Sequence, residues 1–229
     1  MQDLLAEGLS RLALPEKETL QRIMDTYISE LRLFNSAYNL VNTDDRNEII
    51  VRHILDSLAA APYISRLAET KKNPVIADIG SGGGFPGIPL AAAFPQYNFV
   101  LVERMSKRCA FLENCIAILG LKNTTVKNTE AEHMPKAETD IAVFRAFRPL
   151  DAAILRTLLE LLKPDGVIAA YKAKREKITA EMQSVSGIIP SFDIVPLSVP
   201  FLTGTGEKDR ERNLVVIRKP QPHAVQPHS

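Results

Sequence analysis

Residues 75–87 read Val-Ile-Ala-Asp-Ile-Gly-Ser-Gly-Gly-Gly-Phe-Pro-Gly, a buried strand running straight into glycines and then into a helix. Glycines let a backbone turn tightly and approach a ligand with no side chain in the way. Such a junction, at the head of a strand–helix series, belongs to an open parallel sheet that binds a ligand at the carboxyl end of its first strand. The sequence downstream agrees. Expected strands at 75–79, 99–103, 125–127, 141–145 and 167–171 alternate with helical stretches from about residue 86 and over 107–119, 151–162 and 176–186. This alternation puts helices on both faces of the sheet. The last two strands, 192–197 and 214–218, have no helix between them and are expected to pair antiparallel.

The first sixty or so residues read differently. Leu20, Ile23, Met24, Tyr27, Ile28 and Leu31 alternate spacings of three and one, which lays an apolar stripe along a helix that Pro15 helps to start. Ile50, Val51, Ile54, Leu55 and Leu58 repeat the pattern, and the polar stretch 35–45 between them reads as a loop. The expected division is a helical cap over 1–65, an α/β domain over 66–219, and a loose tail over 220–229. No apolar run is long enough to span a membrane, and no secretory signal is visible at the start, so a cytoplasmic protein is expected. Cys109 and Cys115 would stand about 9 Å apart along a helix, too far for a disulfide. Packing in a reduced cell is their expected role. With a net charge of +1, any grip on nucleic acid must come from local patches such as Lys172, Lys174, Arg175 and Lys177.

Two cofactor classes compete for the glycine loop. Gly82-x-Gly84-x-x-Gly87 formally matches a dinucleotide fingerprint, but it starts two residues late because Gly80 already ends the strand. The fuller pattern, Asp78-x-Gly80-x-Gly82-x-Gly84, resembles the first motif of class I methyltransferases, whose cofactor S-adenosylmethionine has an amino-acid end and no pyrophosphate. Glu103, about twenty residues on, ends the second strand and can accept hydrogen bonds from both ribose hydroxyls of a nucleoside. NAD enzymes use the same device, so Glu103 supports nucleoside binding more than it chooses the cofactor. The antiparallel ending also points to the methyltransferase variant of the fold.

Seven segments together resemble the bacterial 16S ribosomal RNA guanine-N7 methyltransferase family, also called glucose-inhibited division protein B. They are Ala37-Tyr38-Asn39-Leu40, Arg52-His53-Ile54-Leu55-Asp56-Ser57, residues 84–90, Ala131-Glu132, Arg145-Ala146-Phe147, Tyr171-Lys172 and residues 211–217 (Glu-Arg-Asn-Leu-Val-Val-Ile). The resemblance implies a seven-stranded, mostly parallel Rossmann-like sheet with an N-terminal helical cap. It implies S-adenosylmethionine contacts at Gly80 and Phe85, and at Ala131 and Glu132 beside the adenine. Arg145 would face the active site, with Lys172 and Arg212 as further basic groups near the substrate. The implied partner is 16S ribosomal RNA, in the small subunit or an assembly intermediate. Two positions depart from the family: Glu130 stands where an arginine is usual, and Phe34 where a tryptophan is common.

The chemistry fits these residues. Methyl transfer from a sulfonium to guanine N7 needs no general base, because N7 carries a free lone pair; the enzyme has to align the reacting atoms. After the fourth strand the chain reads Phe144-Arg145-Ala146-Phe147, not the Asn-Pro-Pro-aromatic loop expected for exocyclic amines. Neither cysteine is placed for attack on a pyrimidine. Arg145 could hold guanine O6, a phosphate or the cofactor carboxylate, or cap its strand structurally. His53 and Asp56, three apart on one helical face, are expected to form a polar pair tying cap to core. Rival readings are a methyltransferase acting on a small molecule or protein, an NAD-linked oxidoreductase, and a non-catalytic RNA-binding module.

Overall fold

A computed structural model describes residues 3–189, 191–204 and 210–220; the expected tail, with His223 and His228, lies outside them apart from its first residue. The chain opens with α1 (Leu4–Arg11) and α2 (Lys17–Tyr38). A third helical run comprises α3 (Arg46–Ile49), a π-helical segment (Ile50–Leu55) and α4 (Asp56–Leu58), and α5 (Ala61–Glu69) follows. The Asp45 side chain caps this run by accepting from the Glu48 N–H. Then come β1 (Val75–Ile79), α6 (Gly87–Ala93), β2 (Asn98–Glu103), α7 (Ser106–Leu119) and β3 (Thr124–Asn128). The series ends with β4 (Thr139–Arg145), α8 (Ala152–Leu161), β5 (Leu162–Lys172), α9 (Arg175–Ser184), β6 (Asp193–Pro196) and β7 (Asn213–Arg218).

The seven strands form one sheet in the order β3-β2-β1-β4-β5-β7-β6. β7 lies antiparallel to both β5 and β6, and the remaining pairs are parallel. The order reverses between β1 and β4, which opens a crevice at their carboxyl ends.

Strand side chains alternate between two apolar layers. Ile76, Ile141, Val143, Ala169 and Val216 face one way, into a core shared with α1, α2, α5, α6 and α7. Ala77, Ala142, Phe144, Ile168 and Ile217 face the other, under α8 and α9. The N-terminal helices are therefore continuous with the core on one sheet face. Each fully buried aliphatic side chain there contributes about 1.5–3 kcal/mol.

The stretch 35–45 is not all loop: α2 continues through Tyr38 and stops at Asn39, which adopts a left-handed conformation. Asn35 explains the extension. Its Oδ1 accepts the N–H groups of Leu40 and Val41, both at 2.9 Å, so a polar side chain inside the helix organises the turn that ends it. Cys109 and Cys115 are free and buried on α7, and burial raises both thiol pKa values, which suits packing and not reactivity.

Candidate active site

The glycine loop is held by two carboxyl side chains, those of Asp78 and Glu103. Asp78, fully buried near the end of β1, accepts the Gly87 N–H at 2.9 Å through Oδ2. A side chain at Gly87 would strike that oxygen and Leu101, so glycine is required for the loop to close onto α6. Glu103 accepts the Gly82 N–H at 3.0 Å and the Met105 N–H at 2.9 Å. Each of its oxygens keeps a second acceptor position. Burial drives the Asp78 carboxyl up to about 7, against the lowering effects of the Gly87 and Ser81 hydrogen bonds and the Arg145 charge. Its Oδ1 is buried without a partner among the described residues.

The N-terminal helices clamp the outside of the same loop. Tyr27 donates its hydroxyl to the Gly83 carbonyl, and its ring lies 5.3 Å from that of Phe85. The Leu40 carbonyl would lie 3.1 Å from a side chain at Gly83. The Ala37–Leu40 motif thus brings backbone against backbone. Phe85 also contacts the His53 ring at 5.1 Å and carries the Arg145 guanidinium over its face at 5.0 Å.

Two cavities flank the loop. The first, about 440 Å³, is lined by Gly80, Val102, Glu103, Met105, Arg108, Thr129, Glu130 and Ala131, with Ala146, Phe147 and Arg148 on its far wall. The second, about 520 Å³, is lined by Asn42, Thr43, Arg52, His53, Asp56, Arg145, Tyr171, Lys172, Arg212 and Asn213, and shares that wall. Ala146 has a positive φ of 51° directly after β4, and Phe147 then stands against Gly80: a side chain at Gly80 would come within 2.2 Å of the Phe147 ring. Phe147 was expected only as part of a motif; its place between the cavities arises from a turn with no signature in the sequence.

The expected site residues divide as follows. Gly80, Glu103 and Ala131 line the first cavity, and Arg145, Lys172 and Arg212 line the second. Asp78, Gly82, Gly84 and Phe85 line neither; they shape the loop. Glu132 also lies outside the cavity walls, where it pairs with Arg148 at 2.9 Å. A hydrogen bond from its own backbone, followed by Arg148, lowers its pKa. Glu130 pairs with Arg104 at 3.4 Å, which gives the departure from the family's arginine a local partner. Lys172 pairs with Glu181 of α9 at 2.8 Å. Phe34 packs its ring on Tyr38 and edge-on to Phe111, as an apolar packing role requires.

His53 and Asp56 do not bond to each other; both receive Arg145. Its Nη1 donates to Asp56 Oδ2 and to the Arg52 carbonyl, both at 3.0 Å, and its Nη2 donates to His53 Nδ1 at 2.9 Å. Nδ1 is therefore the acceptor and Nε2 carries the proton. Burial first, then Arg145 and Arg52, push the His53 pKa down to about 3. Among the described residues no cluster of side chains could hold a metal ion, and no helix is long and apolar enough to cross a membrane.

A seven-stranded sheet with one antiparallel strand, and a glycine loop tied to an acidic strand end, define a class I methyltransferase fold. Solved structures with this fold include an S-adenosylmethionine-dependent O-methyltransferase from Thermotoga maritima, with 15% identity, a TM-score of 0.52, and coverage of 69% of this chain and 64% of that one. A tRNA (m1A58) methyltransferase from Aquifex aeolicus aligns with 15% identity and a TM-score of 0.56 over 72% of this chain and 69% of that one. A family model described as rRNA small subunit methyltransferase G matches residues 20–215. Curated relatives called ribosomal RNA small subunit methyltransferase G are 40% identical in Treponema denticola, over 95% of this chain and 94% of the relative, and 36% identical in Hydrogenovibrio crunogenus, over 96% and 93%. The chain belongs to the rRNA small subunit methyltransferase G family.

Proposed function

We propose that this protein transfers a methyl group from S-adenosylmethionine to N7 of a guanine in 16S ribosomal RNA, working in the cytoplasm on the small subunit or an assembly intermediate. The observation that carries the reading is the pair of cavities meeting at Ala146-Phe147-Arg148, one beside Gly80 and Glu103 and one lined with cations. The residues fit the cofactor. Glu103 keeps free acceptor positions for ribose hydroxyls, Ala131 offers an apolar edge for an adenine, and Gly80, whose missing side chain makes room for the Phe147 ring, lets that ring close one wall of the cavity.

When bound, the cofactor supplies an electrophilic methyl on sulfur, and its loss to N7 requires no proton transfer. The protein's work is alignment and exclusion of water. Arg52, Arg145, Arg148, Lys172 and Arg212 outnumber Glu48 and Asp56 in the second cavity, which suits a phosphodiester-linked base. His53 presents a fixed Nε2–H donor that stays neutral at physiological pH, which suits a carbonyl acceptor such as guanine O6 and leaves N7 its lone pair. Among the described residues both cysteines are buried on α7 and neither lines the cavity, consistent with direct displacement.

The test is transfer of label from methyl-labelled S-adenosylmethionine to three acceptors: small-subunit particles lacking the modification, naked 16S RNA, and a mixture of cellular proteins and small molecules. Label in the RNA of either ribosomal acceptor supports the proposal. Label confined to the protein or small-molecule pool overturns it.

A further inference from the structure

Each cation of the second cavity has a carboxylate partner, but two of them share one. Asp56, 4% exposed, receives Arg145 on Oδ2 at 3.0 Å and Arg212 Nε on Oδ1 at 3.1 Å. By contrast, Arg52, Arg148 and Lys172 pair with Glu48, Glu132 and Glu181 respectively. Arg145 comes from the end of β4 and Arg212 from just before β7, on opposite sides of β5 in the sheet. Asp56 comes from the first turn after the π-helical segment, which itself supplies the Arg52 carbonyl and His53 Nδ1 to Arg145. π-helical turns recur at functional sites. The guanidinium of Arg145 is thereby fixed on three partners, and that of Arg212 on Asp56 and the Glu211 carbonyl. One carboxylate against two guanidiniums leaves this cluster with one excess positive charge on the cavity wall.

We propose that Asp56 is a positioning residue for methyl transfer. It holds Arg145 and Arg212 in one orientation so that their shared positive charge meets the substrate in a single place. The inference rests on the reading of the second cavity as the RNA site. Its physical content is a separation of two effects that arginines have on RNA. Freed guanidiniums still attract phosphate, since that attraction needs charge and not geometry. Alignment of the target base with the methyl does need geometry, and a misplacement of about 1 Å can cost about 100-fold in rate. Removing the Asp56 charge should therefore loosen the catalytic geometry while making the cavity more attractive to RNA.

The experiment compares full-length wild type with Asp56→Asn, using unmethylated small-subunit particles for turnover and a 16S RNA fragment for binding. The expected result is a kcat lower by about 100-fold, with RNA affinity equal or tighter and the slope of log K against log salt steeper by about one. Affinity for S-adenosylmethionine should stay within about twofold of wild type, since Asp56 does not line the first cavity. A merely structural residue would instead lower turnover, RNA affinity and cofactor affinity together, and that parallel loss overturns the inference. So does a kcat within a few-fold of wild type. Should the asparagine variant not fold, Asp56→Glu carries the test, because it keeps the charge and displaces it by one methylene. Lost turnover with retained RNA affinity is expected there, and wild-type turnover counts against the inference. If the wild-type protein itself methylates no ribosomal RNA, the proposed function falls and the inference with it. A working wild type matched by its variant sinks the inference alone.

Discussion

Glu103, at the carboxyl end of β2, accepts the backbone N–H of Gly82 at 3.0 Å, so the acidic strand end holds the glycine loop as well as lining the first cavity beside it. From its place at a strand end after a glycine loop, a ribose contact alone is expected of it. One carboxylate has capacity for the loop and for the proposed ribose contact, because each oxygen can accept two hydrogen bonds and the loop takes one from each.

Glu103→Ala should therefore cost more than a lost ligand contact. It leaves the Gly82 and Met105 N–H groups without an acceptor, at about 1–3 kcal/mol for each that stays buried. Cofactor affinity is expected to fall by more than about 30-fold, as ribose contacts and loop geometry go together. RNA affinity, which the proposed function assigns to the other cavity, should stay near wild type. Calorimetric titration with S-adenosylhomocysteine and a filter-binding assay with RNA separate the two.

Gly80→Ala places a methyl where the Phe147 ring already stands, at a φ of +72° that alanine rarely adopts. A stability loss of about 1–3 kcal/mol is expected from backbone strain alone, with cofactor binding weakened at least about tenfold. In the double variant with Phe147→Ala the clash is removed and the strain is not. Urea unfolding should show partial recovery; full recovery would mean that the positive φ carries no cost.

Two groups, Asp78 fully buried and His53 half-buried, give opposite pH dependences of stability. The folded Asp78 carboxyl holds its proton up to about pH 7, whereas its ordinary value is 3.8. The native state therefore binds more protons between those values, and this contribution to stability falls as pH rises through the window. For His53 the folded pKa is about 3 against an ordinary 6.5, so the unfolded state binds more protons between them and stability falls as pH drops. In the wild type the two partly cancel between about pH 4 and 6.5. Asp78→Asn should unmask a stability that rises with pH over that range, and His53→Gln one that falls. Melting temperatures at half-unit steps from about pH 4.5 to about pH 7.5 check both slopes. Unchanged profiles would show that neither group is perturbed as its surroundings imply.

The parallel strands were legible because short apolar runs alternating with helical stretches, and the glycine junction, are local signals. The expected strand at 167–171 is part of β5, which starts at Leu162. Its first residues, Leu162-Lys163-Pro164-Asp165, include a proline and two charges, and they meet β4 through an irregular register. No apolar alternation marks them. The π-helical segment was also illegible, since the spacing of Ile50, Val51, Ile54 and Leu55 suits an α-helix equally well. At the site, the loop and Glu103 could be read from neighbours in sequence. The meeting of Arg145 and Arg212 on Asp56 could not, because the partners lie 89 and 156 residues from it along the chain and meet only when the sheet forms. His53 and Asp56 read as a mutual pair because their helical spacing was visible and the arginine between them was not.

The most direct measurement is the identity of the methylated nucleoside. Small-subunit particles lacking the modification would be incubated with the protein and methyl-labelled S-adenosylmethionine, the 16S RNA digested to nucleosides, and the label resolved by chromatography. Label in 7-methylguanosine is expected, strongly reduced for Glu103→Ala. Label in any other nucleoside, or none despite measurable cofactor binding, would contradict the proposed function.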